Sequence, residues 1–194
     1  MGFQIIVIGT SLGGLRALQI LLKGLPKTFP VPIAIVLHRH KASNGEILRV
    51  LLQDNSQLVV TEAQDKQDIM PGHVYFAPAN YHLLVDGTSI TPHHYFTLSA
   101  DDPVSYARPS IDVLFETAAD VYAEKVIGVL LTGSNRDGKN GLAKIKDYGG
   151  KTVVEEPSTA ACSIMPQAAI TAGIADKILP LEEIANFLVK VCSF

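Results

Sequence analysis

The chain has 194 residues, of which 47% are hydrophobic and 18% charged, and its formal net charge is -3. This composition can bury a substantial core and predicts one domain covering residues 1–194. The charge provides no basic footprint, so nucleic acid is not an expected partner.

No apolar run in the sequence is long enough to cross a bilayer, and no charged leader precedes an apolar signal segment. We therefore expect a soluble, cytoplasmic protein without membrane insertion. The two cysteines, Cys162 and Cys192, cannot form a disulfide framework and have no metal-ligand spacing. Both are interpreted as small buried residues, and Cys162, in a predicted loop, as the one nearer to a site.

Strands and helices are predicted to alternate along most of the chain. Apolar runs at 4–8, 33–37 and 126–131 are typical of parallel strands covered on both faces. Helical periodicity and shorter apolar runs predict the remaining elements: helices over 14–22, around 47–52, over 111–122 with Ser110 as cap, and over 141–148, 165–172 and 181–191, and strands over 58–61, 152–154 and 177–179. The pattern predicts an α/β fold, a doubly wound, mostly parallel sheet sandwiched by helices.

The middle of the chain has a different pattern. Short alternating runs at 73–77, 82–85 and 89–91, separated by turn residues, predict antiparallel hairpin strands. We therefore expect a small antiparallel hairpin insertion in the sheet, followed by a mobile polar loop over 99–107.

Ser11 lies at the predicted turn from the first strand into the first helix. Gly9 and Gly13 flank it in the spacing G-x-S-x-G, in which glycines tolerate the unusual backbone angles that expose a nucleophilic serine. The helix that follows would direct free N–H groups at an oxyanion. The alternative is that Ser11 only caps the helix, and the motif alone does not decide between the two.

Two phosphate-binding interpretations of this turn are excluded. A dinucleotide fingerprint requires glycine in place of Ser11 and an acidic residue after the second strand, where His38 stands. A P-loop requires a Gly-Lys-Ser/Thr ending, which the turn lacks.

Three apolar strands are each followed by a residue of the kind that acyl transfer needs: Ser11, His38 and Asp137. Since the carboxyl ends of parallel strands meet at one edge, these residues could supply nucleophile, base and orienting carboxylate. Their chain order differs from the Ser, Asp, His order of α/β-hydrolases, so their geometry has to decide.

Each of these residues has an alternative explanation. His40 competes with His38, and either could be a surface histidine in a basic loop. Asp137 could belong only to a turn with Gly138.

Arg108 could bind an anionic substrate or could neutralise Asp101 or Asp102. The remaining histidines are assigned to hairpin and loop positions: His73, His82, His93 and His94. Because carboxylates and cysteines at a ligand spacing are missing beside them, no metal site is predicted.

Five stretches together resemble the catalytic domain of the CheB-type chemotaxis protein-glutamate methylesterases. They are residues 8–14, His38 after 35–37, residues 71–78, residues 108–115, and residues 128–133 followed by Asp137 and Gly138. The resemblance runs in order from about 5 to 188. It implies hydrolysis of glutamyl γ-methyl esters on chemoreceptor cytoplasmic helices, releasing methanol, with deamidation of certain receptor glutamines in many members.

The resemblance also implies residue roles. Ser11 corresponds to the nucleophile, His38 rather than His40 to the base, and Asp137 to the carboxylate. The backbone N–H groups of Leu12 and Ser134 would meet the oxyanion. Substrate-binding roles are expected for Gly13 and Arg108, and no metal or organic cofactor is implied.

The sequence departs from the family pattern at two places. Ser134 stands where methionine is common, and the loop after His38 carries Arg39, His40 and Lys41 instead of apolar and proline residues. The second change affects receptor docking more than chemistry. Many members also carry a receiver domain ahead of this unit, so the chain is expected to be a stand-alone form or part of a longer protein with a receiver or methyltransferase partner.

Two rival functions are also compatible with the sequence. The chain could be a serine esterase with a different ester substrate, or an inactive scaffold of the same fold that binds receptors or a nucleotide.

Overall fold

The computed structural model describes residues 2–87 and 93–192. The nine described strands are β1 (Ile5–Thr10), β2 (Ile33–Leu37), β3 (Val59–Glu62), β4 (His73–Phe76), β5 (His82–Gly87), β6 (His94–Ser99), β7 (Val126–Leu130), β8 (Lys151–Glu155) and β9 (Lys177–Leu179). The six described α-helices are α1 (Gly14–Lys23), α2 (Gly45–Gln53), α3 (Ile111–Tyr122), α4 (Lys139–Asp147), α5 (Ile164–Thr171) and α6 (Leu181–Cys192).

Seven of these strands form one sheet in the order β3-β4-β2-β1-β7-β8-β9, and every neighbouring pair is parallel. The chain leaves β1 toward β2 on one side and later returns to β7 on the other. The carboxyl ends of β1, β2 and β7 therefore surround the point where the strand order reverses, which is where ligands bind in open parallel sheets.

Helices cover both faces of the sheet, and β1 shows this residue by residue. Its side chains alternate between two buried clusters: Ile6 and Ile8 lie with residues of α1 and α6, while Ile5 and Val7 lie with residues of α3. Because both faces are buried, β1 needs an unbroken apolar sequence rather than an alternating one. The predicted doubly wound α/β fold is confirmed.

The prediction that residues 73–77 form an antiparallel hairpin strand is wrong about the strands they pair with. These residues form β4, which is not part of a hairpin but lies in the main sheet, parallel to both β2 and β3. Val74, Tyr75 and Phe76 are all buried, so the apparent alternation of this stretch did not reflect a solvent-exposed face. A strand pattern read along one segment does not reveal which distant strand will pair with it.

The predicted hairpin insertion exists, but it consists of β5 and β6. These strands pair antiparallel from His82 with Ser99 to Gly87 with His94, and β5 packs against α3. The strand expected at 89–91 lies outside the described residues. β6 was not predicted, and the predicted loop over 99–107 begins at its last residue. Among the described helices, none has the length and apolar character to cross a bilayer.

Candidate active site

The turn after β1 places Ser11 at the carboxyl edge of the sheet. The Ser11 N–H donates to the Thr132 carbonyl oxygen at 2.9 Å, which ties this turn to the segment that follows β7. Gly13 has a φ of 81°, in the left-handed region that glycine enters without strain. A Cβ at Gly13 would lie 2.5 Å from the Cβ of Ala161, so the turn requires glycine for space as well.

The side chain of Ser11 does not cap α1. This helix has Gly13 as its N-cap residue, and no side chain bonds to its first N–H groups. Only the main chain of Ser11 takes part, because its carbonyl oxygen accepts the Gly14 N–H at 2.8 Å. The side chain of the half-buried Ser11 is therefore not used as a helix cap, and its role as a nucleophile stays a prediction.

Thr132 links the serine turn to the segment after β7. Its hydroxyl donates to the Leu12 carbonyl oxygen at 2.8 Å and accepts the Cys162 N–H at 2.8 Å. The Thr132 N–H donates to the carboxylate of Glu155 at 2.8 Å. Glu155 is fully buried, and burial raises its pKa above the ordinary value. The two backbone segments that flank Ser11 are thus held by one hydrogen-bond network.

His38 and Asp137 are in direct contact. His38 follows β2, and its Nε2 lies 2.7 Å from Oδ2 of Asp137, while the exposed fractions of the two side chains are 13% and 0%. His40 is exposed, and its Nδ1 accepts the Ala42 N–H at 3.2 Å. His38 is therefore the histidine that the fold places beside the predicted carboxylate.

Asp137 is held by the N-terminus of α3. Its Oδ1 accepts the Ser110 hydroxyl at 2.9 Å and the Asp112 N–H at 3.0 Å. Its Oδ2 accepts the Ile111 N–H at 2.7 Å. Ser110 is the N-cap residue, as predicted, but its side chain forms no cap bond, and the Asp137 carboxylate accepts the N–H groups of Ile111 and Asp112 instead.

These contacts set the charge of Asp137. Burial is the largest single influence and raises the pKa, but the hydrogen bonds from His38 and from the N–H groups of Asp112 and Ile111 outweigh it together. The pKa of Asp137 therefore lies below its ordinary value of 3.8. An ionised carboxylate at this point favours a protonated Nε2 on His38.

Asp112 is a second buried carboxyl in the same region. Its Oδ1 accepts the Gly141 N–H at 2.8 Å. Burial, assisted by the negative charges of Asp137 and Glu116, raises the pKa of Asp112 to about 6 despite that hydrogen bond. The pKa values of these two buried carboxyls are thus shifted in opposite directions, and it is Asp137 that bonds to the histidine.

Asn135 contacts both members of this pair. Its Nδ2 lies 3.2 Å from His38 Nδ1, and its Oδ1 accepts the Asp137 N–H at 3.2 Å. Every nitrogen of the His38 ring therefore has a partner: Nε2 with Asp137 and Nδ1 with Asn135.

Ser11 lies beside this arrangement in a shared cleft. The cleft has a volume of about 670 Å³, and Ser11, His38 and Ser134 are among the residues that line it. Within residues 2–87 and 93–192, no hydrogen bond joins the Ser11 hydroxyl to His38. The structure thus brings the predicted base and carboxylate together and leaves the predicted nucleophile next to them without a direct bond.

Leu12 and Ser134, the predicted oxyanion donors, lie at the cleft, and their role stays a prediction. Both line it, and in the described part of the chain neither backbone N–H has a hydrogen-bond partner. Leu12 is 60% exposed, and Ser134 is exposed as well. Gly13 also lines the cleft.

Arg108 forms its hydrogen bonds within the chain, and its predicted role in binding an anionic substrate stays a prediction. Its guanidinium donates to the carbonyl oxygens of Ala100 and Asp101, at 2.6 and 2.9 Å, and to Asn80 Oδ1. The contact with Asp101 is to the main chain, and no described ion pair joins Arg108 to Asp101 or Asp102. Arg108 anchors the loop before α3 and lines a second cleft that also borders His38.

Arg39, in the basic loop after β2, is directed at the sheet. It forms an ion pair with Glu62 of β3, donates to the Ala77 carbonyl oxygen at 3.0 Å and lies over the ring of Phe76. These contacts hold the loop against β3 and β4, while Nε and Nη1 of Arg39 are buried without a hydrogen-bond partner among the described residues.

The remaining histidines lie away from these residues or serve the fold. His73 lies in β4, His82 in β5 and His94 in β6, and His93 directly precedes β6. His82 is buried, and its Nδ1 accepts the Ser110 N–H at 3.2 Å. Among the described residues, no group of three or more histidine, cysteine, aspartate or glutamate side chains could hold a metal ion.

Sequence reasoning missed three residues that build this site: Ser110 as a donor to Asp137, Asn135 as a contact of His38, and Thr132 as the link to the serine turn. Thr132 and Asn135 lie in the loop after β7, where functional residues of parallel sheets are expected. That position was a usable signal. The contact of Ser110 depends on where a loop 27 positions away is placed, and the sequence holds no local sign of it.

A serine, a histidine and an aspartate at the switch point of a doubly wound parallel sheet are the residue types that serine hydrolases use, which recur on unrelated folds. The CheB methylesterase family model matches residues 6–188, and the chain belongs to this family.

Individual relatives agree with the family model. A Leptospira interrogans protein with a provisional assignment as protein-glutamate methylesterase and protein-glutamine glutaminase is 45% identical over 98% of this chain and 96% of its own length. The protein-glutamate methylesterase/protein-glutamine glutaminase of Thermotoga maritima is 37% identical over 97% of this chain, which spans 54% of that relative. The crystal structure of the Thermotoga maritima CheB methylesterase catalytic domain matches with a TM-score of 0.93 at 36% identity, over 98% of this chain and 99% of that one.

Proposed function

We propose that this chain is a protein-glutamate methylesterase that hydrolyses glutamyl γ-methyl esters on the cytoplasmic helices of chemoreceptors, with deamidation of receptor glutamines as a second reaction of the same site. The observation that carries the proposal is the contact of His38 with the buried Asp137 beside Ser11, in a chain of the CheB methylesterase family.

The acylation step follows from the tautomer of His38. Because Nε2 donates its hydrogen to Asp137, Nδ1 carries the lone pair that can accept a proton. Nδ1 takes the Ser11 proton as Oγ attacks the ester carbonyl carbon, and the carbonyl π pair moves onto oxygen. The N–H groups of Leu12 and Ser134 stabilise that oxyanion.

The remaining steps return the enzyme to its starting state. When the tetrahedral intermediate collapses, the bond from carbon to the methoxy oxygen breaks and His38 gives its proton to the leaving methanol. His38 then deprotonates a water that attacks the acyl-Ser11 ester. Collapse of the second intermediate releases the glutamate and returns the proton to Ser11.

Asp137 supports these steps without changing its own protonation. Its charge stabilises the imidazolium that exists between the proton transfers, and its fixed position keeps Nε2 engaged so that Nδ1 remains the acceptor. The donors from α3 hold the carboxylate in place during both transfers.

Substrate binding would use the two clefts that meet at His38. Gly13 lines the first and Arg108 the second, in which Lys41 and His40 also lie. The guanidinium of Arg108 already donates four hydrogen bonds to acceptors within the chain. Its contribution to substrate binding would therefore be to shape the loop more than to pair with a negative charge on the substrate. The partner would be a methylated chemoreceptor in the cytoplasm, and in a longer protein a receiver domain or a methyltransferase would lie alongside.

A serine-directed fluorophosphonate probe tests the nucleophile and separates the rival functions. We expect one labelled peptide containing Ser11 and no labelling of Ser11→Ala. Labelling of Ser11 without methanol release from a methylated receptor would favour an esterase with another substrate. A folded protein that neither reacts with the probe nor turns over the receptor would be a scaffold.

A further inference from the structure

Asn135 bonds to the imidazole of the base, His38, and to the backbone of Asp137, the residue that carries the carboxylate. It is half-buried in the loop that joins β7 to α4. Its Nδ2 lies 3.2 Å from Nδ1 of His38, and its Oδ1 accepts the N–H of Asp137 at 3.2 Å.

The Asp137 N–H fixes which way the Asn135 amide faces. A backbone N–H can only donate, so the amide oxygen must point toward Asp137 and the NH₂ group toward His38. An NH₂ group can only donate to a ring nitrogen, so Nδ1 of His38 must be the acceptor. The contact of Nε2 with the Asp137 carboxylate requires the same tautomer.

This geometry places Asn135 in competition with Ser11. An imidazole nitrogen that lacks a hydrogen has a single in-plane lone pair, and base catalysis requires the Ser11 hydroxyl to reach the lone pair on Nδ1. In the structure the Asn135 amide occupies it, and the described residues include no hydrogen bond between Ser11 and His38. A protonated Nδ1 would moreover face an NH₂ group, so the contact also opposes formation of the imidazolium.

We infer that Asn135 is a latch on the base of the resting enzyme: its amide occupies Nδ1 of His38 and has to release it before Ser11 can transfer its proton. The inference rests on the proposed function of the site. Asn135 acts through His38, so it is a positioning residue and not a catalytic one. Substrate that fills the cleft at Ser11 and His38 favours the exchange.

The charged groups near His38 enter the test because they also act on the ring. Besides Asp137, three of them lie in the loop of His38 itself: Arg39, His40 and Lys41. The others are Arg108 before α3, Arg16 in α1 and Arg136 after β7. All of them are unchanged in the variants below, so differences between variants report the group at position 135.

Asn135→Ala should raise the rate at which the fluorophosphonate probe labels Ser11. The expected increase is about two- to tenfold at pH 7.5, the range expected for removing one competing neutral hydrogen bond. Asn140→Ala, at an exposed position of α4, is the matched control and should label at the wild-type rate. Labelling of a folded Asn135→Ala protein at or below the wild-type rate would overturn the latch.

Asn135→Asp is the second variant, and it retains an oxygen for the Asp137 N–H. Its carboxylate would accept a hydrogen from Nδ1 and so hold His38 as imidazolium between two negative charges. The acid limb of the labelling rate against pH should therefore move to higher pH than in the wild type. A residue that only supports the loop would lower the rate without moving this limb, and that result would contradict the inference.

The ¹⁵N spectrum of His38 separates failure of the latch from failure of the proposed function. The wild-type protein should show a protonated Nε2, an unprotonated Nδ1, and a coupling between Nδ1 and the Asn135 amide that Asn135→Ala removes. These signals do not depend on turnover. If they are present in a protein that does not react with the probe, the esterase proposal fails while the contact stands; if they are missing, the latch fails.

Discussion

The Ser110 hydroxyl donates a hydrogen bond of 2.9 Å to Asp137 Oδ1, although the two residues lie 27 positions apart. Through this bond and two N–H groups, the first turn of α3 holds a carboxylate that belongs to the loop after β7. The orientation of His38 therefore depends on a helix to which neither it nor Asp137 belongs.

Ser110→Ala removes one donor from a fully buried carboxylate. We expect the free energy of unfolding to fall by about 1.5–3 kcal/mol, the range for a hydrogen bond to a charged group. The labelling rate of Ser11 should fall with it, because Asp137 is held less firmly against His38. Chemical denaturation and probe labelling measure the two effects.

Ser163→Ala is the matched control for this change. Ser163 is also the N-cap residue of a helix, is exposed and forms no side-chain cap bond. Its removal should change stability by less than about 0.5 kcal/mol. Equal effects of the two substitutions would show that the Ser110 bond contributes nothing specific.

Asp137→Asn tests the carboxylate itself. The amide has one acceptor in place of two and presents an NH₂ group to neighbours that are themselves donors, so it no longer selects the tautomer of His38. We expect the labelling rate of Ser11 to fall by about 10³-fold or more.

The exposed Asp54→Asn, at the end of α2, controls for the loss of one negative charge and should leave the labelling rate unchanged. A loss of less than about tenfold in Asp137→Asn would mean that the contact with His38 does not serve the chemistry.

Asp112 gives a prediction about stability and pH. Its pKa is raised from 3.8 to about 6, so the folded state retains a proton that the unfolded state loses between these values. Stability should therefore decrease as pH rises from about 4 to 6 and then level off, and the penalty is roughly 3 kcal/mol. Asp112→Asn removes the penalty and should be more stable than the wild type at pH 8, with the difference vanishing near pH 4.

Thermal or chemical unfolding across pH 4 to 8 measures this difference. Asp147→Asn, at an exposed position of α4, controls for the change in net charge. A difference between wild type and Asp112→Asn that does not vary with pH would contradict the raised pKa of Asp112.

The three strand ends that carry Ser11, His38 and Asp137 could be predicted from the sequence. Their strands are continuous apolar runs, and the physics of parallel sheets brings such strand ends to one edge. The partner of β4 could not be predicted, since pairing with β2 and β3 depends on the whole topology. β6 was missed because its polar residues hid the alternation of a half-exposed strand.

Within the site, too, some features could be predicted from the sequence and others depend on the tertiary structure. Residue types that acyl transfer requires are visible in the sequence, but their hydrogen bonds are not. Ser110 illustrates this: its type and position predict a helix cap, yet a carboxylate from another loop takes that role and accepts the Ser110 hydroxyl. Asn135 has no motif of its own, and only the backbone of its loop aims the amide at His38.

Release of labelled methanol from a chemoreceptor whose glutamates carry isotopically labelled methyl esters tests the central claim most directly. The wild-type chain and an exposed-site control, Asn140→Ala, should release methanol, and Ser11→Ala, with its fold verified, should release none above the uncatalysed rate. Methanol release by Ser11→Ala at the wild-type rate, or none by a folded wild-type chain, would contradict the proposal that Ser11 and His38 carry out ester hydrolysis on the receptor.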